Sequence, residues 1–213
     1  MTRLLLIRHG ESEANRNGTI AGQLDADLLE KGLQQAKITA QYIVENYKVD
    51  AVYASDLQRA YKTGKAVADL LSLPTIPDSR LREVMAGQWA GMKFGDILEQ
   101  FHDDYTHWLS DIGNSRCTGG ESVKELGERV VESVTEIAKK HDGETVVVAT
   151  HATPIRVLQC LIEAGTLDEM KNIPWVSNCS VTELLYENGA WCFGAIGIDD
   201  HLADMRTAFP KNI

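Results

Sequence analysis

Arg8-His9-Gly10 sets a fixed cation, a titratable imidazole and a residue without a side chain next to one another. Arginine's planar fork donates paired hydrogen bonds to the oxygens of an anion such as phosphate. A neutral imidazole is a nucleophile or base, and a charged one is a donor. Glycine lets a ligand approach the backbone closely. A second histidine stands in Thr150-His151-Ala152 and a second arginine in Ser55-Asp56-Leu57-Gln58-Arg59. Each has an ordinary explanation alone: a polar strand end, or an arginine on the polar face of a helix. Two histidines and two arginines in matching positions point instead to an anion site.

The elements behind these residues explain the matching. Leu4-Leu5-Leu6-Ile7 reads as a strand buried on both faces, as inside a parallel sheet. Its carboxyl end, where open α/β sheets bind ligands, is Arg8-His9. Thr145–Ala149 is a second such strand and runs into His151; the following helix is read over Thr153–Ala164, with Pro154 as its first residue. Asp50–Ala54 is a short strand feeding a helix over Asp56–Leu71, which puts Arg59 in its first turn. Free N–H groups and the dipole favour anions there.

Leu29–Tyr47 is amphipathic, with Leu33, Ala36, Ala40, Ile43 and Val44 inward. Leu73–Ile76 is a third strand and Glu121–Lys140 a long helix. Ser180–Tyr186 and Trp191–Ile196 flank the turn Glu187-Asn188-Gly189-Ala190, a hairpin signal. Glu11–Asp27 reads as a polar loop, and residues 92–118 as short helices forming a cap. The order predicts an α/β fold: one domain over 1–213, a mostly parallel central sheet with an antiparallel edge strand, helices on both faces and a small helical cap.

Arg8-His9-Gly10-Glu11 with Asn15, Ser55-Asp56-Leu57 with Arg59-Ala60, Leu81-Arg82-Glu83 with Gly87, Trp89 and Gly91, and His151 with Ile155-Arg156 occur in that order. Gly119-Gly120-Glu121-Ser122 and Asn178 with Ser180 join them. This ordered set resembles the histidine phosphatase superfamily, in the branch named after cofactor-dependent phosphoglycerate mutase. The resemblance runs from residue 3 to about 186.

The resemblance implies that His9 attacks phosphorus, forming a phosphohistidine that water hydrolyses. A hydrogen bond from the other ring N–H to a backbone carbonyl would hold the required tautomer. Arg8, Arg59 and a protonated His151 would surround the phosphoryl oxygens, charge stabilisation that calls for no metal or other cofactor. Asn15, Ala21, Gly22 and Ala152 would line the substrate site, Asn15 and the backbone near Gly22 and Ala152 supplying neutral donors. Glu83 resembles the proton donor to the leaving alcohol, a task that needs a raised pKa; alone it would be a solvated loop carboxylate.

Three positions depart from the family pattern. Leu29 stands at a helix start as a cap position of little functional effect, while Ala21-Gly22 in the substrate loop and Thr150-His151-Ala152 for the common Ser-His-Gly bear on substrate identity. Only 67 residues separate Glu83 from His151, shorter than the lidded mutases. A short cap admits water to phosphohistidine, so the expected activity is that of a phosphomonoesterase on a small phosphorylated metabolite. Phe94, Phe101, Tyr105, His107 and Trp108 are candidate pocket walls or the cap's own core. A mutase-type phosphotransferase and a non-catalytic phosphate-binding regulator are the alternatives; the intact set of Arg8, His9, Arg59, Glu83 and His151 weighs against the regulator.

The net charge of −10 argues against nucleic acid and anionic membranes as partners, and requires the anion site to be a local positive island. No apolar run approaches the ~20 residues of a membrane span, and the opening Met1–Ile7, ended by Arg8, is too short to read as a signal peptide. Cys117, Cys160, Cys179 and Cys192 have no metal-ligand spacing and read as reduced thiols of a cytoplasmic protein. His102, Asp103, Asp104 and His107 read as a solvated acidic stretch, and His141 and His201 as surface residues. The tail with Phe209-Pro210 is expected to fray or to pack on a partner subunit, and a homodimer is compatible with this reading.

Overall fold

The computed structural model describes residues 1–207. The chain runs β1 (Thr2–Arg8), α1 (Glu13–Asn17), α2 (Glu30–Asn46), β2 (Ala51–Ala54), α3 (Gln58–Leu71), β3 (Thr75–Pro77), α4 (Phe94–Gln100), α5 (His102–Ser110), α6 (Val123–Lys140), β4 (Thr145–Thr150), α7 (Ala152–Glu163), β5 (Val181–Glu187) and β6 (Ala190–Phe193). Leu4, Leu5, Leu6 and Ile7 are all fully buried in β1. Alternation sends Leu4 and Leu6 to one face of the sheet, Leu5 and Ile7 to the other, and each pair belongs to a separate hydrophobic cluster. A strand apolar on both faces needs helices on both. Ala40 and Ile43 of α2 and Val67 of α3 cover Leu5 and Ile7. Val130 and Val134 of α6 and Ile155 of α7 cover the opposite face.

The sheet order is β3-β2-β4-β1-β5-β6. β3, β2, β4 and β1 are parallel, while β5 runs antiparallel to β1 and pairs with β6. The β5–β6 turn is the expected hairpin, with Asn188 at φ 53° and Gly189 at φ 83°, the conformation an Asn-Gly turn favours. The chain leaves β1 toward β2 on one side and leaves β4 toward β5 on the other. The crevice therefore opens where β1 and β4 end side by side. Arg8 is in register with Thr150, and the His9 N–H donates to the Thr150 carbonyl at 3.0 Å. That register is what brings His9 beside His151.

Several local expectations need correction. The polar loop over Glu11–Asp27 contains α1, because Ser12 and Asn15 form a reciprocal capping box. Helix α7 begins at Ala152, so Pro154 is its third residue and not its first; the first four N–H groups of a helix lack intrahelical partners, so proline is admitted there too. In α2 the buried face holds Gln35 and Thr39, while Leu33 and Val44 are half-buried. The reason is that residues 200–207 fold back on α2: Gln35 Nε2 donates to the Met205 carbonyl at 2.7 Å. His201 is half-buried in the same contact, 2.8 Å from Thr39 Oγ1 and stacked on Tyr42. His141 lies between Tyr53 and Glu144, its side chain 13% exposed. Neither is a free surface histidine. The Phe209-Pro210 tail lies outside the described residues. All four cysteines are free thiols, and no helix among the described residues is long and apolar enough to cross a membrane.

The turn after His9 is seated directly on α2. A Cβ added at Gly32 would lie 2.1 Å from the Glu11 carbonyl oxygen, and one at Gly10 would lie 2.4 Å from that of Gly32. In an open helix Gly→Ala would stabilise by about 1 kcal/mol. Here the backbone must move, and overpacking costs about 1–3 kcal/mol. Gly32→Ala is therefore expected to lower the urea midpoint; a raised midpoint would contradict the close contact.

Candidate active site

β1 delivers Arg8 and His9 to the crevice. Arg8 is buried and donates from Nη1 to the Val176 carbonyl at 2.6 Å. Burial pushes its pKa down to about 10, with the Glu83 charge opposing the fall, so it stays charged at neutral pH. His9 Nδ1 lies 2.7 Å from the Gly10 carbonyl oxygen. A carbonyl only accepts, so Nδ1 carries the proton and Nε2 the lone pair. Burial, then the charges of Arg59 and Arg8, hold the imidazole well below its usual range. His9 is thus a neutral imidazole whose orientation is fixed by the Gly10 carbonyl. Asn178 Nδ2 donates to the His9 carbonyl at 2.7 Å and secures its backbone.

Arg59 is the second residue of α3 and is 1% exposed, far from the surface position an isolated helix would suggest. It donates to the carbonyls of Leu24 at 2.8 Å and Gly22 at 2.7 Å, tying the Ala21-Gly22 loop to the sheet end. Burial lowers its pKa and Glu83 opposes that. Gly22 takes φ +53°, and a Cβ there would sit 2.6 Å from that of Ala86, so the position demands glycine on two counts. In α1 the Asn15 Oδ1 accepts from the Ser12 N–H at 3.1 Å and the Ser12 hydroxyl at 3.0 Å. Its NH2 group is the remaining donor end.

Glu83 follows the short turn Ser79–Leu81. Its Oε1 accepts from the Val84 N–H at 2.8 Å and its Oε2 from the Thr153 N–H at 3.4 Å, at the start of α7. His151 precedes α7 and is fully buried. Its ring meets that of His9 edge-on, centroids 5.1 Å apart. Nε2 lies 2.9 Å from Ser55 Oγ, while Nδ1 is buried without a partner among the described residues. Burial, with Arg59 and His9, holds His151 well below the usual imidazole range. The site thus brings two neutral imidazoles together with two charged arginines. A phosphate dianion would favour a protonated His151.

Arg8, His9, Asn15, Ala21, Gly22, Arg59, Glu83 and Ala152 all line one cavity of about 130 Å³. His151 stands behind it. Phe94 and Trp108 join the wall, whereas Tyr105 packs edge-on against Trp89 in the core, Phe101 lies against that core and His107 is exposed. Sequence reading missed Ser12, Thr19, Ile20, Val84, Thr153 and Trp175 as lining residues. Ser12 carried a signal in its capping spacing to Asn15. Trp175 carried none, since it sits in an irregular segment before β5.

A buried neutral histidine, two buried arginines and a carboxyl group lining one cavity suit phosphoryl transfer. The sequence signature of the histidine phosphatase superfamily (branch 1) matches residues 4–199. Phosphoserine phosphatase 1 of Hydrogenobacter thermophilus is 36% identical over 162 residues, 76% of this chain and 76% of that protein. A metal-independent phosphoserine phosphatase of Arabidopsis thaliana is 35% identical over 177 residues, covering 81% of this chain and 74% of that one. Among solved structures, Bacillus stearothermophilus YhfR superposes with a TM-score of 0.90 at 29% identity, over 95% of this chain and all of that one. The chain belongs to the histidine phosphatase superfamily, and its activity is that of a phosphomonoesterase.

Proposed function

We propose that the protein hydrolyses a small phosphorylated metabolite in two steps through a phosphohistidine on His9. His9 Nε2 forms the bond to phosphorus as the ester P–O bond breaks, and Glu83 gives its proton to the departing alcohol. In the second step Glu83 takes a proton from the attacking water and the His9–phosphorus bond breaks, releasing phosphate. Arg8 and Arg59 balance the phosphoryl charge throughout. The observation that carries this reading is the His9 Nδ1 contact with the Gly10 carbonyl at 2.7 Å, which directs the lone pair to Nε2 in a cavity lined by both arginines and Glu83.

The large apolar residues of the cavity wall are Ile20, Val84, Phe94, Trp108 and Trp175. Such a wall suits an alcohol with an apolar or planar face. Two of the relatives are named for phosphoserine, whose ammonium would meet no acidic group among the described lining residues except Glu83, and Glu83 is needed there in its protonated form as the acid. An aryl phosphate is therefore expected to be hydrolysed in EDTA with a higher kcat/KM than L-phosphoserine. Activity lost to EDTA and restored by a divalent ion would overturn the mechanism. A phosphorylated protein that accumulates without releasing phosphate would point to a phosphotransferase instead.

A further inference from the structure

Glu83 stands on backbone without regular structure: residues 82–86 belong to no helix or strand. Tertiary contacts must aim its side chain. Those contacts converge on Arg129, in the middle of α6. Its Nη1 donates to the carbonyls of Arg80 and Arg82, both at 2.7 Å, and its Nη2 to the carbonyl of Glu83 itself at 2.9 Å. Glu121 braces the guanidinium from the other side at 2.5 and 3.1 Å. The same carboxylate accepts from the Met85 N–H at 3.0 Å, and the Glu121 N–H donates to the Met85 carbonyl at 2.9 Å. The main chain on both sides of Glu83 therefore ends on one arginine–glutamate pair, with side chains 19% and 11% exposed.

Close approach is built in. A Cβ at Gly120 would lie 2.0 Å from the Met85 carbonyl oxygen, and one at Gly87 would lie 2.4 Å from the Gly120 nitrogen. Neither Arg129 nor Glu121 lines the cavity. An arginine whose fork is committed to main-chain oxygens and a carboxylate is a brace for the segment, with a planar geometry that a lysine cannot reproduce.

We propose that Arg129, braced by Glu121, is a positioning residue that aims the Glu83 carboxyl at the leaving-group oxygen. The proposal rests on the acid role given to Glu83 above. Its signature is selective, because an ester with a good leaving group departs without a proton and one with a poor leaving group does not.

The test compares kcat/KM for 4-nitrophenyl phosphate and benzyl phosphate in Arg129→Met, Arg129→Lys and Glu83→Gln. In Arg129→Met the benzyl ester is expected to lose about 10²-fold and the nitrophenyl ester less than about threefold, the scale of general acid catalysis. Arg129→Lys keeps the charge without the fork, and a smaller loss of the same selectivity is expected. Partial unfolding lowers both rates together and leaves their ratio unchanged. If Arg129→Met does not fold, Arg129→Lys decides. A selective Glu83→Gln with unselective Arg129 variants would overturn the brace while leaving the acid role intact. An unselective Glu83→Gln would remove the acid role and the brace with it.

Discussion

His9→Ala is expected to lower kcat toward every phosphomonoester by at least about 10⁴-fold, or about 5.5 kcal/mol of transition-state stabilisation. In the proposed mechanism, removing the imidazole deletes the atom that accepts the phosphoryl group, and the neighbouring groups cannot replace it. His151 is buried, with its Nε2 against Ser55, and both arginines are cations without a lone pair to offer. The anion site itself should survive, because Arg8 and Arg59 are held by the carbonyls of Val176, Gly22 and Leu24 and not by His9. Phosphate is therefore expected to bind the variant while turnover and the acid-labile phosphoenzyme disappear together. Rapid quench with a labelled aryl phosphate reads both. A variant within tenfold of the parent, or one that still forms the phosphoenzyme, would place the nucleophile elsewhere.

The second large effect is on stability. His9 and His151 are both held well below the usual imidazole range in the folded protein, burial being the main cause in each. Unfolded, each takes up its proton near pH 6.5. Below that value the unfolded state binds more protons than the folded state, so stability is complete above about pH 6.5 and falls as the pH drops toward the folded values. The slope is up to about 1.4 kcal/mol per pH unit for each histidine, hence roughly 3 for the pair. Half-buried His201 shifts the same way and contributes less.

The carboxylates held low by their partners, such as Asp56 beside Arg82 and Asp78 with its Arg80 and Ser133 hydrogen bonds, add their loss only as the pH nears their unfolded values, around 4. The window from pH 6.5 to 5 therefore isolates the histidines. Urea unfolding across it should show the fall in the parent chain and a much flatter profile in His9→Ala/His151→Gln. Phosphate should protect increasingly as the pH falls, since its negative charge favours a protonated His151. A parent profile that is flat between pH 6.5 and 5 would mean that the paired imidazoles are not kept neutral.

Much of this was legible in the chain. Leu4–Ile7 and Val146–Val148 announce strands buried on both faces because no amphipathic helix or half-exposed strand tolerates four or three consecutive large aliphatic residues in such a setting. Their ends are then necessarily strand termini, so His9 and His151 were readable as a pair. Asn188-Gly189 announced its hairpin through the one local conformation it favours. The reading failed where the deciding neighbour is distant in sequence. Gln35 and Thr39 look solvent-facing by helical periodicity, yet residues 200–207 cover them. His201 looks polar and exposed, yet Thr39 and Tyr42 enclose it.

By itself the sequence determined the alternation of strands and helices, the candidate reacting groups and the family, because periodicity, turn chemistry and residue type are local properties. Tertiary structure alone decided three things. The β1–β4 register set His9 against His151, since lateral strand order is not written in either strand. Burial made both imidazoles neutral, a property of surroundings contributed by many segments. And the carbonyls of residues 80, 82 and 83 met the Arg129 guanidinium across 46 to 49 positions of chain, an encounter no local pattern encodes, because backbone oxygens are the same at every residue.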